Sequence, residues 1–203
     1  MNAIDVFLRD LRRTRHTEKV YNPYRHLILT NNLRHYLNFM LKYQGKRILL
    51  VGEALGYKGG KLTGIPFSSG YIIQNYNHPL FNRIRPDIIV NSIESENTAK
   101  IIWDYLLTKK TIPLFWNAYP YHPHPENELN KNRLPTQTEI KHGTIYLRQI
   151  INLFKPEVIA GIGNKGYNCI QQLLPETPVT KIRHPSFGGK TKFINGMNKI
   201  IND

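Results

Sequence analysis

Apolar residues recur every three or four positions in the first 45 residues. Ile4, Phe7, Leu8 and Leu11 form one stripe, and Leu33, Tyr36, Leu37, Met40 and Leu41 form another, with Thr30 as the expected N-cap of the second helix. Asn22-Pro23-Tyr24 between them is a turn signal. From residue 47 the pattern changes. Residues 47–52 are a short continuous apolar run ending in glycine, the mark of a strand buried on both faces. Residues 112–116, 157–162 and 179–183 are three further strand candidates. Helical stripes separate them. Ala99, Ile102, Trp103, Leu106 and Leu107 form the first. Ile140, Leu147, Ile151 and Phe154 form the second, opened by the capping box Thr136-x-x-Glu139. Tyr167, Ile170, Leu173 and Leu174 form the third, and Phe193, Met197, Ile200 and Ile201 mark a last helix. Residues 88–90 read as a further short strand or a loop.

Strands alternating with helices require right-handed crossovers and a parallel sheet covered on both faces. The fold expected is therefore α/β: a three-layer α/β/α sandwich with a central four-stranded parallel sheet. Residues 1–45 add an N-terminal helical extension to one domain spanning 1–203. A length of 203 residues suits a single domain, and 40% hydrophobic residues supply its core.

Charge narrows the class. Lys and Arg total 28 against 14 Asp and Glu, a net +14 spread along the chain. Such a surplus points to a polyanionic partner, DNA or RNA first. The single cysteine, Cys169, excludes a disulfide framework and a thiolate cage within one chain. No apolar run approaches the ~20 residues of a membrane span, and the first residues lack an apolar signal core. The expectation is a soluble, monomeric, cytoplasmic protein, nucleoid-associated if bacterial.

In open α/β sheets, ligands bind beyond the carboxyl ends of the strands. Gly52-Glu53-Ala54-Leu55-Gly56 follows the first predicted strand, Asn117-Ala118-Tyr119-Pro120 the second, and His184-Pro185-Ser186-Phe187 the fourth.

These segments resemble the uracil-DNA glycosylase superfamily, over roughly residues 47–195. The first loop, running on through Tyr57-Lys58 and Lys61 to Gly64-Ile65-Pro66-Phe67, is similar to the superfamily's Gly-Glu-Ala-Pro-Gly branch. So is Asn132-Arg133-x-Pro135-x-x-x-Glu139. The resemblance implies a base flipped from DNA into a pocket and hydrolysis of its N-glycosidic bond. By position, Glu53 would support the cationic sugar and orient water. His184 would hydrogen-bond the departing base, Phe67 would stack on it, and Asn117 would read its edge. Tyr57 is the candidate for excluding the thymine methyl. Pro185, Ser186, Arg183, Lys190, Lys58 and Lys61 would meet phosphates, and Phe187 would fill the hole left by the base.

Two departures stand out. Leu55 replaces the branch's proline, and the branch's four cluster cysteines are reduced to one, with Gly143 near a cluster position. A cluster-free relative is implied, with no metal or organic cofactor. Ala54 also stands where the best-known branch has its catalytic Asp, which leaves water activation to Glu53 or another group.

Other motifs carry less. Pro123 separates His122 and His124, which have no obvious third metal ligand nearby. Gly161-x-Gly163-x-x-Gly166 satisfies the dinucleotide fingerprint, but the acid expected about 20 residues on is missing. Tight strand–helix packing is the preferred reading of those glycines. Residues 56–62 are no phosphate loop, because Leu62 and Leu55 occupy required Ser/Thr and Gly positions. Arg9, Arg12, Arg13 and Arg15 form either a solvated helix face or an extended DNA footprint. The expected function is removal of uracil from DNA. The alternatives are a glycosylase for another deaminated base such as hypoxanthine, and a catalytically silent DNA- or protein-binding member.

Overall fold

The computed structural model describes residues 2–201. Helix α1 (Ala3–Arg13) is capped by Asn2 and buries the first apolar stripe. A two-residue strand β1 (Val20–Tyr21) and helix α2 (Leu27–Lys42) follow. Strand β2 (Ile48–Gly52) is buried throughout. The long connection after it holds α3 (Gly60–Thr63), α4 (Gly70–Asn75), α5 (Pro79–Ile84) and α6 (Asn97–Leu106). Then come β3 (Leu114–Asn117), β4 (His122–Pro123), α7 (Gln137–Phe154) and β5 (Val158–Ile162). Helix α8 (Gly163–Leu173), β6 (Thr180–Ile182) and α9 (Lys190–Asn198) complete the chain.

The four predicted strands pair in parallel in the order β3-β2-β5-β6. Helices flank this sheet, as the alternating pattern requires. The connection leaving β2 runs to β3 on one side, and the connection leaving β5 runs to β6 on the other. The strand order therefore reverses between β2 and β5, and a crevice opens beyond their carboxyl ends. Gly52-Glu53 and Gly163-Asn164-Lys165 flank that crevice.

The edge strand β3 is closed from the side by α2, whose Tyr36 hydroxyl accepts the Phe115 N–H at 2.7 Å. The capping box at Thr136 is present, both partners bonded. Thr30, however, is not an N-cap. The helix begins after His26, and Thr30 lies inside its first turn, donating its hydroxyl to the carbonyls of Tyr24 and His26. Residues 88–90 form a loop. Asn32 on α2 satisfies the backbone there, accepting from the Ile89 N–H and donating to its carbonyl.

Sequence periodicity missed the antiparallel pair β1–β4, in which Val20 faces Pro123 and Tyr21 faces His122. Two residues per strand are too few to show a period. This pair ties the N-terminal extension to the chain beyond β3.

Gly161 and Gly166 are packing glycines, whereas Gly163 takes a left-handed φ of 75° with no close contact. A Cβ on Gly166 would lie 2.0 Å from the Val51 carbonyl oxygen, and one on Gly161 would lie 2.3 Å from Tyr167 Cα. Helix α8 therefore sits directly on β2 and β5. Gly166→Ala is expected to cost about 1–3 kcal/mol through overpacking against backbone. Thermal denaturation reads this as a lowered Tm. An unchanged Tm would mean that α8 has room to retreat.

Candidate active site

A cleft of about 790 Å³ opens at the strand-order reversal. Its wall includes Glu53 and Ala54 after β2, Asn164 and Lys165 at the start of α8, and Arg183, His184, Ser186 and Phe187 after β6. Phe67, Glu96, Thr98 and the 132–134 segment close it from the sides.

Backbone bonds zip the loops together beyond the strand ends. Ala118 N–H donates to the Gly52 carbonyl and Tyr119 N–H to the Glu53 carbonyl, both at 2.9 Å. Leu55 N–H donates to the Tyr121 carbonyl at 3.1 Å, and the Leu55 carbonyl accepts from His122 Nδ1 at 2.9 Å. The Leu55 N–H bond to the Tyr121 carbonyl fits the missing proline. A proline fixes φ but has no N–H, whereas Leu55 is held by a bond that proline could not make. Its side chain is buried and packs against Gly60.

Gly52 is the floor on which two predicted residues meet. A Cβ on it would lie 2.2 Å from Phe67 Cζ and 2.8 Å from Asn117 Oδ1. Gly52 and Asn117 are register partners across β2 and β3. Phe67 stands in the left-handed region at φ 52°, a costly conformation for a bulky residue. It is held there by Trp103, whose Nε1–H donates to the Phe67 carbonyl at 2.7 Å, and by ring contact with Phe115 at 5.3 Å. Asn117 is only 1% exposed, and Phe67 rather than Asn117 forms the wall of the open cleft. The Asn117 Oδ1 is buried without a hydrogen-bond partner, which costs about 1–3 kcal/mol until a donor arrives.

Glu53 is half-buried, and this burial raises its carboxyl pKa above the ordinary value while Lys165 pulls it back. Burial, with Arg183 adding to it, lowers the pKa of His184. Ser186 N–H donates to His184 Nδ1 at 3.3 Å, so the neutral ring carries its proton on Nε2.

The loop after β6 is tied to the start of α6 by the Ser186–Thr98 hydroxyl pair at 2.9 Å. Pro185 is buried beneath it. Phe187 at φ 53° and Gly188 at φ 71° follow as two successive left-handed residues. The Phe187 ring is 95% exposed. Arg183 lines the cleft, and both Arg183 and Lys190, the first residue of α9, are exposed. Lys58 is half-exposed and pairs with Glu94 at 3.5 Å.

Two predicted residues stand elsewhere. Lys61 turns inward and is 6% exposed, with Nζ donating to the Leu129 carbonyl and Asn130 Oδ1 at 2.9 and 3.0 Å. Those acceptors take it off the phosphate face. Tyr57 borders a smaller adjoining depression rather than the main cleft, with its N–H bonded to Asn132 Oδ1.

The sequence reading missed Lys165. It follows β5 among glycines whose spacing reads as packing, and it lines the cleft. Arg133 and Glu139 form a bidentate pair at 2.8 and 2.9 Å, and Arg133 also donates to the carbonyls of His124, Leu134 and Lys19. This clamp fixes the 132–134 wall and gives the Asn-Arg-x-Pro-x-x-x-Glu segment its physical reason.

The residues present do not suit a cysteine-bound cluster. Cys169 is buried, and burial pushes its thiol up to about 11. A Cβ on Gly143 would lie 1.9 Å from the Ala118 carbonyl oxygen, so α7 has no room for a side chain there. Among the described residues, no three His, Cys, Asp or Glu side chains gather to hold a metal ion. The His122 ring nitrogens face the carbonyls of Leu55 and Leu129. No described helix is long and apolar enough to cross a membrane.

The family model described as "Uracil DNA glycosylase superfamily" matches residues 41–202, so the chain belongs to that superfamily. Membership supports a DNA glycosylase role and implies DNA as the substrate. The crystal structure of wild-type Pedobacter heparinus SMUG2 superposes with a TM-score of 0.67 at 15% identity, covering 98% of this chain and 97% of that one. That likeness extends the shared fold across the N-terminal helices. No curated protein sequence matches the chain.

Proposed function

We propose that the protein removes uracil from DNA by hydrolysing the N-glycosidic bond of a flipped nucleotide, leaving the strand uncut. The observation that carries this reading is the Asn117 amide. Its unpaired Oδ1 is a buried acceptor at the floor shared with Phe67. Uracil N3–H is a donor of matching polarity, and uracil O4 accepts from the amide N–H. The Phe67 ring offers the flipped base a stacking face.

Cleavage breaks the C1′–N1 bond, and its electron pair leaves with the base. The sugar becomes cationic and the base anionic. The Glu53 carboxylate stabilises the first charge, orients the water that bonds to C1′ and accepts the proton that this water gives up, while the base anion takes up a proton as it leaves. Neutral His184 donates Nε2–H to the base O2 as negative charge grows there. A preorganised donor and a preorganised anion in one half-closed cleft are worth most at the transition state. The exposed Phe187 ring, on its strained turn, fills the gap in the stack. Arg183 and Lys190 hold the flanking phosphates.

The pH dependence follows from Glu53. Protonated Glu53 cannot stabilise a cation, so excision is expected to fall as pH drops through its raised pKa, at a higher pH than the ~4.3 of an ordinary glutamate. His184 is shifted the other way, lowered by its burial and by Arg183. A single-turnover pH profile checks this. Glu53→Gln should lose the acid limb, and an identical limb in that variant would assign it to another group.

The test of the proposal is a panel of oligonucleotides carrying one uracil, one hypoxanthine or only normal bases. Hypoxanthine offers a similar donor–acceptor edge, so faster release of hypoxanthine would transfer the activity to that base. No release of any base, with DNA bound, would make the protein a silent binder. Affinity should fall steeply and linearly on a log–log salt plot, because phosphate contacts supply most of it.

A further inference from the structure

The family match begins at residue 41, and the chain before it carries a cluster that the cleft does not use. The rings of His16 and Tyr21 stack at 4.9 Å with 20° between their planes. Those of Tyr21 and His26 stack at 5.9 Å and 30°, and the two histidines approach to 6.4 Å. His16 and His26 are exposed, and Tyr21 is half-buried. Arg15 and Arg25 are exposed beside them, and partial burial, with Arg25 and His26 adding to it, lowers the pKa of His16. Lys61 lies 5.8 Å from the Tyr21 ring centroid and supports it.

This cluster shares a wall with the cleft. Strand β1 carries Tyr21 and pairs with β4. Arg133, which borders the cleft, donates to the Lys19 carbonyl at 2.9 Å. Gly60 borders the cleft, and its neighbour Lys61 sits beneath Tyr21. Through Arg133 and the Gly60–Lys61 turn, the cleft wall is continuous with the segment that carries the rings.

Exposed rings beside exposed cations suit an unpaired strand. Every base has a face to stack, and the cations meet its phosphates. A duplex hides its base faces and would use the cations alone. We infer that His16, Tyr21 and His26, with Arg15 and Arg25, form a second DNA contact that holds an unpaired stretch of the strand whose base enters the cleft. The inference rests on the DNA reading above.

The test compares wild type with the double variant Arg25→Ala/His26→Ala. The His26 side chain makes no helix-capping bond, so the fold should survive, and an unchanged Tm verifies it. Binding is measured on undamaged single strands of about 30 nucleotides, on duplexes of the same length, and on short strands that fill only the cleft. The variant is expected to bind the long single strand about tenfold more weakly, the scale of one lost stacking contact. The duplex should change less, and short-strand binding should not change. Photo-crosslinking with 4-thiothymine in the long strand should label the 16–26 peptide. Equal affinity of both proteins for the long single strand would overturn the inference. So would an equal loss on duplex, which would mean phosphate contact without stacking. Binding of undamaged strands needs no excision, so a protein that releases no base defeats the glycosylase reading and still leaves this contact to be judged.

Discussion

Glu53→Ala and His184→Ala are each expected to slow uracil excision by about 10²-fold or more, the scale for removing one preorganised electrostatic group. Glu53 follows β2 and His184 follows β6, on either side of β5, and both line one cleft. They act on opposite charges of the same transition state, so each loss should appear in the single-turnover rate rather than in DNA affinity. Phosphate contacts should keep both variants bound. The two should also differ in kind. His184→Gln keeps a donor and should recover part of the rate, whereas Glu53→Gln removes the charge and should not. A Glu53→Ala protein with near-normal turnover would remove Glu53 from the mechanism and turn attention to Lys165, a charged cleft residue that acts on Glu53.

Asn117→Asp should lose most uracil excision. The substitution keeps the size of the side chain but replaces the amide donor with a second acceptor. The carboxylate would then repel uracil O4, and its burial at the floor leaves little water to relieve the mismatch. A mismatched buried polar pair costs about 1–3 kcal/mol, and a site built to hydrogen-bond its substrate is sensitive to that loss. Cytosine presents the opposite edge, an amine at C4 and an acceptor at N3. The variant therefore gains the acceptor that the cytosine amine needs, though not the donor that N3 needs. Time courses on uracil and cytosine oligonucleotides, run side by side, check both halves. Unchanged uracil excision by a folded Asn117→Asp protein would mean that Asn117 does not read the base.

Most of the sheet was legible because β2, β3 and β5 are buried on both faces, whereas the edge strand β6 exposes Lys181. Residues 47–52 and 157–162 read as unbroken apolar runs, and strands buried on both faces leave no polar alternation to confuse with helix. The strand-end rule then placed Glu53 and His184, which the structure brings to one cleft. What the sequence hid depends on partners far along the chain. Lys61 looks like any loop lysine until the 129–130 segment folds over it. Leu55 looks like a defect in a proline loop until Tyr121 supplies the acceptor for its N–H. Thr30 has the chemistry of a cap, and only the turn at 23–25 shows that the helix has already begun. The β1–β4 pair is too short to leave a pattern, and the route from the cleft to the His16–Tyr21–His26 rings is visible only once it forms.

The central claim is that a uracil base leaves DNA by hydrolysis while the strand stays whole. The most direct measurement incubates an end-labelled oligonucleotide carrying one uracil with the protein, then divides the sample. One half goes straight to a denaturing gel, and the other is first treated with hot alkali. The expected result is a full-length strand without alkali and a single break at the uracil with it, absent from the thymine control and lost with Glu53→Ala. A uracil strand that remains uncut after alkali, under conditions where the protein binds it, would contradict the claim.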